Sequence, residues 1–127
     1  MAPKKNQFVE HVVEIMRGFG SVESKAMFGG YGLYHEGVFF ALVAEDTLYL
    51  KSDAENAAEF DAGQLPPFVY ESKVGERIVM SYRQAPAEAL DSPAVMETWA
   101  RLGYGAALRA VRAKVPGKPR RKSEAPS

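Results

Sequence analysis

Met27-Phe28-Gly29-Gly30-Tyr31-Gly32-Leu33-Tyr34 decides how this chain is read, because three glycines within four positions break an otherwise aromatic, strand-forming run. Glycine is favoured where the backbone takes positive φ or approaches another segment closely, so the cluster marks a tight turn or bulge within a sheet. A phosphate-cradling loop would need the glycines to open a helix. Instead, Val38-Phe39-Phe40-Ala41-Leu42-Val43 follows the turn His35-Glu36-Gly37 as another strand, and the segment reads as a β-hairpin.

Working outward, strands are expected over 23–28, 31–34, 38–43 and 47–51, separated by Gly29-Gly30, His35-Glu36-Gly37 and Ala44-Glu45-Asp46. Turns this short imply antiparallel neighbours. Upstream, Phe8, Val12, Ile15 and Phe19 recur at helical spacing, with Val9, Val13 and Met16 widening the stripe. Downstream, Ser52 and Glu55 have capping-box spacing and open a helix over 53–62 that Gly63 can end. A second hairpin, 68–71 with 77–82, turns around Lys73-Val74-Gly75. Asp91 or Ser92 caps a final helix, with Pro93 in its first turn and Met96, Trp99, Ala100, Ala107 and Val111 directed to a core. Gly103 and Gly105 either let this helix pack closely on the sheet or divide it. The order α-ββββ-α-ββ-α is that of an α+β, two-layer fold: a largely antiparallel sheet with helices on one face.

The 127 residues suit one core. The absence of cysteine excludes disulfides, thiolate zinc sites and a cysteine nucleophile, and fits a reducing compartment. No apolar run approaches the ~18 residues of a membrane span, and the polar start lacks the core of a signal peptide. The expected location is cytoplasmic, with no membrane contact. Formal charge is zero but unevenly placed. The folded domain is expected over 1–113 and a basic tail over 114–127, where Lys118, Arg120, Arg121 and Lys122 outnumber Glu124. Pro116, Gly117, Pro119 and Pro126 deny that tail a helix, and it reads as disordered and solvated.

The sheet's two faces carry the functional expectation. Leu48 and Leu50 alternate with Thr47, Tyr49 and Lys51, and Ile78, Met80 and Tyr82 with Arg77, Val79 and Ser81. The strand 38–43 is apolar on both sides. With helices on one face only, Phe39, Val43, Tyr49 and Val79 are expected to form an apolar patch on the other, a docking surface.

These residues resemble the N-terminal domain of the TfoX/Sxy family of bacterial competence regulators. The resemblance is carried by Met27, Phe28, Gly29, Gly30 and Gly32 with Tyr31, Leu33 and Tyr34, by Phe40-Ala41-Leu42-Val43 with Asp46 and Leu48-Tyr49-Leu50-Lys51, by Pro67-Phe68-Val69-Tyr70, and by Met80-Ser81-Tyr82 with Pro86. It runs from about Phe8 to Val111. It implies a two-layer fold like that of secretion chaperones and, in full-length members, the switching on of DNA-uptake genes together with the cyclic-AMP receptor protein. Those members carry a C-terminal helical domain, whereas this chain is expected to be the stand-alone N-terminal domain. The family implies no catalytic residues.

The residue chemistry agrees with a binding role. His11 and His35 are the only histidines, and neither has a metal-ligand spacing. Asp46 suits a turn, and Ser81 lacks a nucleophile-elbow context. Lys51, Tyr49, Tyr31, Tyr70 and Tyr82 sit at strand positions that can share the open face, a combination suited to recognition. The expected function is a non-enzymatic regulatory or protein-interaction module without metal or cofactor, its partner a second copy of the chain or another protein. The alternative is a nucleic-acid-binding accessory that uses the basic tail and the sheet tyrosines. A third reading, a small-molecule enzyme built around Lys51 and a tyrosine, lacks an acid, base and nucleophile constellation.

Overall fold

The computed structural model describes residues 6–27 and 29–113. Phe28 and the basic tail over 114–127 lie outside the described residues. Asn6 starts the chain's first helix by accepting the Val9 N–H on its side-chain oxygen at 3.1 Å, which satisfies a donor that has no partner inside the helix. α1 (Gln7–Ile15) then buries Val9, Val12 and Ile15 on one stripe, and a 3-10 turn, Met16–Gly18, adds the buried Met16.

Four strands follow as a meander: β1 (Glu23–Met27), β2 (Gly30–His35), β3 (Val38–Ala44) and β4 (Thr47–Lys51). After α2 (Ala57–Ala62) and β5 (Pro67–Glu71), β6 (Arg77–Gln84) returns beside β4. The result is one six-stranded sheet in the order β1-β2-β3-β4-β6-β5 with every pair antiparallel. The turns Glu36-Gly37 and Glu45-Asp46 have positive φ at both central residues, the turn form whose twist matches that of the strands it joins. A 3-10 turn, Ala87–Leu90, leads into α3 (Pro93–Ala113). Ser92 caps α3, its hydroxyl oxygen accepting the Val95 N–H at 3.3 Å and its carbonyl the Met96 N–H at 2.9 Å.

A bulge in β3 sorts the two faces. Leu33 pairs with Ala41 but Tyr34 pairs with Phe39, which leaves Phe40 without a partner. Phe40 and Ala41 are consequently both turned to the helices and both fully buried. Strict alternation, which would put Val43 on the open face with Phe39, fails at this point. Val43 is 2% exposed and belongs to the core with Leu33, Leu48 and Leu50, under Val12 and Met16, Phe60 of α2, and Met96 and Ala100 of α3.

The helix after β4 starts later than the Ser52–Glu55 spacing predicts, at Ala57 rather than near residue 53. Ser52 is buried and gives its N–H to the Ser81 carbonyl, continuing the β4–β6 pairing. Asp53 instead accepts the N–H groups of Glu55 and Asn56 at 3.0 and 3.1 Å, and the buried Asn56 returns a bond to the Asp53 N–H at 2.8 Å. The Asn56 amide also donates to the carbonyls of Lys51 and Leu102, so one side chain ties β4, α2 and α3 together. Arg109 of α3 forks onto the Asp53 carboxylate at 2.6 and 3.0 Å and holds that carboxyl below its ordinary range.

The two glycines of α3 do not divide it. Gly103 is buried where a Cβ would lie 3.1 Å from the Leu50 Cβ and 3.5 Å from the Lys51 backbone nitrogen, so its lack of a side chain sets how closely α3 lies on β4. A Cβ at Gly105 would meet only the end of Arg109, at 3.5 Å. Gly103→Val is therefore expected to cost about 2–3 kcal/mol through overpacking, whereas Gly105→Ala should gain roughly 0.5–1 kcal/mol from helix propensity. Thermal melts of the two variants that moved in the same direction would contradict this assignment.

Candidate functional site

The face of the sheet away from the helices bears an open-sided cavity of about 320 Å³. Met27 of edge strand β1 and Phe68 and Tyr70 of edge strand β5 border the same space. For residues of both outermost strands to meet one cavity, the sheet must curl, its helix-free face concave, as strand twist accumulates over six strands. Phe39, Leu42, Ala44, Met80 and Tyr82 complete its main lining.

Glycine shapes this face. Gly29, at φ +79, makes the turn between β1 and β2. At Gly30 the need is for close approach and not for positive φ: a Cβ there would fall onto the Val43 carbonyl oxygen of the neighbouring strand. A Cβ on Gly32 would lie 2.9 Å from the Met27 sulfur and 3.0 Å from the edge of the Phe39 ring. Gly32 thus lets side chains on either side of it close over β2.

Two chains of rings occupy the concave face. Tyr34 stacks on Phe39 with centroids 5.2 Å apart, and Phe39 meets Tyr82 at 5.6 Å. Tyr49 contacts Phe68 at 4.9 Å, and Phe68 meets Tyr70 at 6.3 Å. Cations cover the outer rings: the Lys25 ammonium is 4.7 Å from the Tyr34 centroid and the Lys51 ammonium 5.0 Å from that of Tyr82. Lys51 also donates to the Ser81 hydroxyl at 2.8 Å.

Of the residues singled out from the sequence, Tyr49, Lys51, Tyr70, Tyr82 and Phe39 come together here. Tyr31 borders the cavity but packs against the core cluster. Val43 is core. Val79 is 63% exposed, but it alternates with Met80 and so projects from the opposite face, beyond the helices' cover. The alternation reading missed Leu42 and Ala44 because the bulge at Phe40 shifts them to the open side; Met27 and Phe68 were visible only as motif residues. Asp46 serves the turn at φ +58. Both histidines are structural: His35 Nδ1 donates to the Ser21 carbonyl at 2.7 Å with its ring against Phe19 and Tyr104, and His11 Nε2 donates to the Leu90 carbonyl at 2.6 Å. Among the described residues no group of three or more His, Asp or Glu side chains is placed to hold a metal ion, and no helix is long and apolar enough to cross a membrane.

Compared with family models, residues 14–107 match the TfoX N-terminal domain, a span that takes in all six strands, α2 and most of α3. The chain belongs to the TfoX N-terminal domain family. A comparison with curated proteins found no match. Every residue of the concave face lies inside the TfoX N-terminal match, so the face is part of the family domain and not an addition to it.

Tyr82 is the most perturbed group of the site. It is 6% exposed, and burial, helped by the neighbouring Tyr34, pushes its phenol from 10.0 up to about 12. The fold thus favours the neutral phenol, a contribution fully present below pH 10 and lost as the pH rises towards 12. Tyrosinate absorbance should show one phenol of the native protein titrating last, and Tyr82→Phe should abolish that late step and flatten the alkaline loss of stability. An unaltered late step in the variant would refute the assignment to Tyr82.

Proposed function

We propose that the protein is a non-enzymatic regulatory module of the TfoX N-terminal type, which engages a partner protein in the cytoplasm through the concave face of its sheet. The observation that carries this reading is the gathering of six rings, two of them cation-capped tyrosines, on the one face that no described helix covers. Aromatic side chains lose little rotamer freedom on docking and bury much area, and so dominate the energetics of protein contacts. Tyr70, 47% exposed beside the cavity, is the natural anchor. Four side chains of kinds that catalysis uses are engaged in holding structure, Asp53 by Arg109, the two histidines by backbone carbonyls and the Ser81 hydroxyl by Lys51, which supports this reading. Transcriptional control of the competence type is the setting that the family supports, and a second copy of the chain is one partner the face could take.

The test is a comparison of baits. Tyr70→Glu should release a partner captured from the native host, or shift a self-associating protein to monomer in analytical ultracentrifugation, while the circular-dichroism spectrum stays native. Glu59→Ala, on the exposed side of α2, should release nothing. Retention of the partner by Tyr70→Glu, with loss from the Glu59 variant, would move the contact to the helix layer and refute the reading.

A further inference from the structure

We propose that the cavity of the concave face binds a small, uncharged aromatic molecule carrying one hydrogen-bond acceptor, which the Tyr82 hydroxyl engages; this rests on the reading of that face as a binding surface. Size is the first argument. At the ~30 Å³ that a water molecule occupies in the liquid, a space of about 320 Å³ takes roughly ten non-hydrogen atoms, the size of two fused rings. The lining is the second. Phe39 and Tyr82 on one side and Phe68 on the other offer ring faces and edges, and Met27 and Met80 bring polarisable sulfur to the same space. Among the described residues no charged side chain lines the cavity, the Lys51 ammonium lying over the Tyr82 ring; an apolar lining of this kind does not replace the hydration of a buried charge, so the ligand is neutral.

The third argument selects the acceptor. A buried tyrosine hydroxyl ordinarily finds a hydrogen-bond partner; Tyr82 is 6% exposed, and its hydroxyl makes no hydrogen bond to another described residue. Burial keeps its phenol protonated well above neutrality, so it can donate to an acceptor placed in the cavity. An anchoring Phe or Trp from a partner protein would leave it unanswered, since a phenyl ring has no acceptor and an indole N–H only donates. A free molecule with a ring nitrogen, carbonyl or phenolic oxygen satisfies the volume, the lining and the hydroxyl together.

Quinoline and naphthalene, equal in shape and differing by one acceptor nitrogen, test this on the full chain by amide NMR titration. Quinoline should bind saturably to the wild type, Tyr82→Phe should weaken it about tenfold while leaving naphthalene unchanged, and Leu42→Trp, which fills the cavity, should abolish both. No saturable shift in the wild type, equal affinity of Tyr82→Phe and wild type for quinoline, or undiminished binding to Leu42→Trp would each overturn the proposal. If Tyr82→Phe does not fold, nuclear Overhauser contacts from quinoline to the Leu42 and Met80 methyls of the wild type decide, and their absence overturns it. Absence of quinoline binding while Tyr70→Glu still releases a partner removes the ligand but leaves the docking face; quinoline binding with partner retention by Tyr70→Glu does the reverse.

Discussion

Phe40 and Ala41 are consecutive residues of one strand, yet both are buried beneath the helices. A regular strand cannot do this, because its side chains alternate. The unpaired Phe40 resolves the conflict: the chain inserts one extra residue opposite β2, and every side chain after it changes face. Val43 thereby joins Leu33, Leu48 and Leu50 in the core, and Leu42 and Ala44 turn to the open side, where they border the cavity. Both the helix-covered core and the concave face depend on that single displacement.

The helix layer is seated by close approach and by one polar knot. Gly103 brings α3 against Leu50, and a bulky side chain there would lift the helix off the strand that carries two of the central core leucines. The knot is Asn56, buried and bonded to Asp53, Lys51 and Leu102. Its partners come from β4, the turn before α2, and α3, and buried amides contribute most when fully satisfied. Asp53 extends the knot to the surface through its two bonds with Arg109. The same strand, β4, presents Lys51 to the open face, so the helices and the concave surface share one support.

On the concave face the chemistry is aromatic and economical in charge. Lys25 and Lys51 each lie over a tyrosine ring, which places their ammonium groups where the ring quadrupole attracts them and leaves the cavity itself apolar. Gly32 contributes by having no side chain, since Met27, Phe39 and Tyr34 close over the space a Cβ would take. Such a surface suits recognition by shape and by ring contact, and the family domain contains all of it.

Periodicity and turn chemistry, which act between residues near in sequence, are legible in the sequence by itself. The helical stripe Phe8 to Phe19, the turns at Glu36-Gly37 and Glu45-Asp46, the element order, and the motif series of the TfoX N-terminal family all rest on such local signals. Tertiary structure alone decided the rest. The Ser52–Glu55 spacing is a local signal that lost, because pairing Ser52 with Ser81 in the sheet and satisfying the buried Asn56 outweigh an early helix start. Which face holds Val43 or Leu42 depends on a bulge, and a bulge forms where packing of Phe40 against Phe19 and Tyr104 is worth more than one strand pairing. Likewise the meeting of Met27, Phe68 and Tyr82 around one cavity follows from the curl of six strands, a sum of small twists that no single segment encodes.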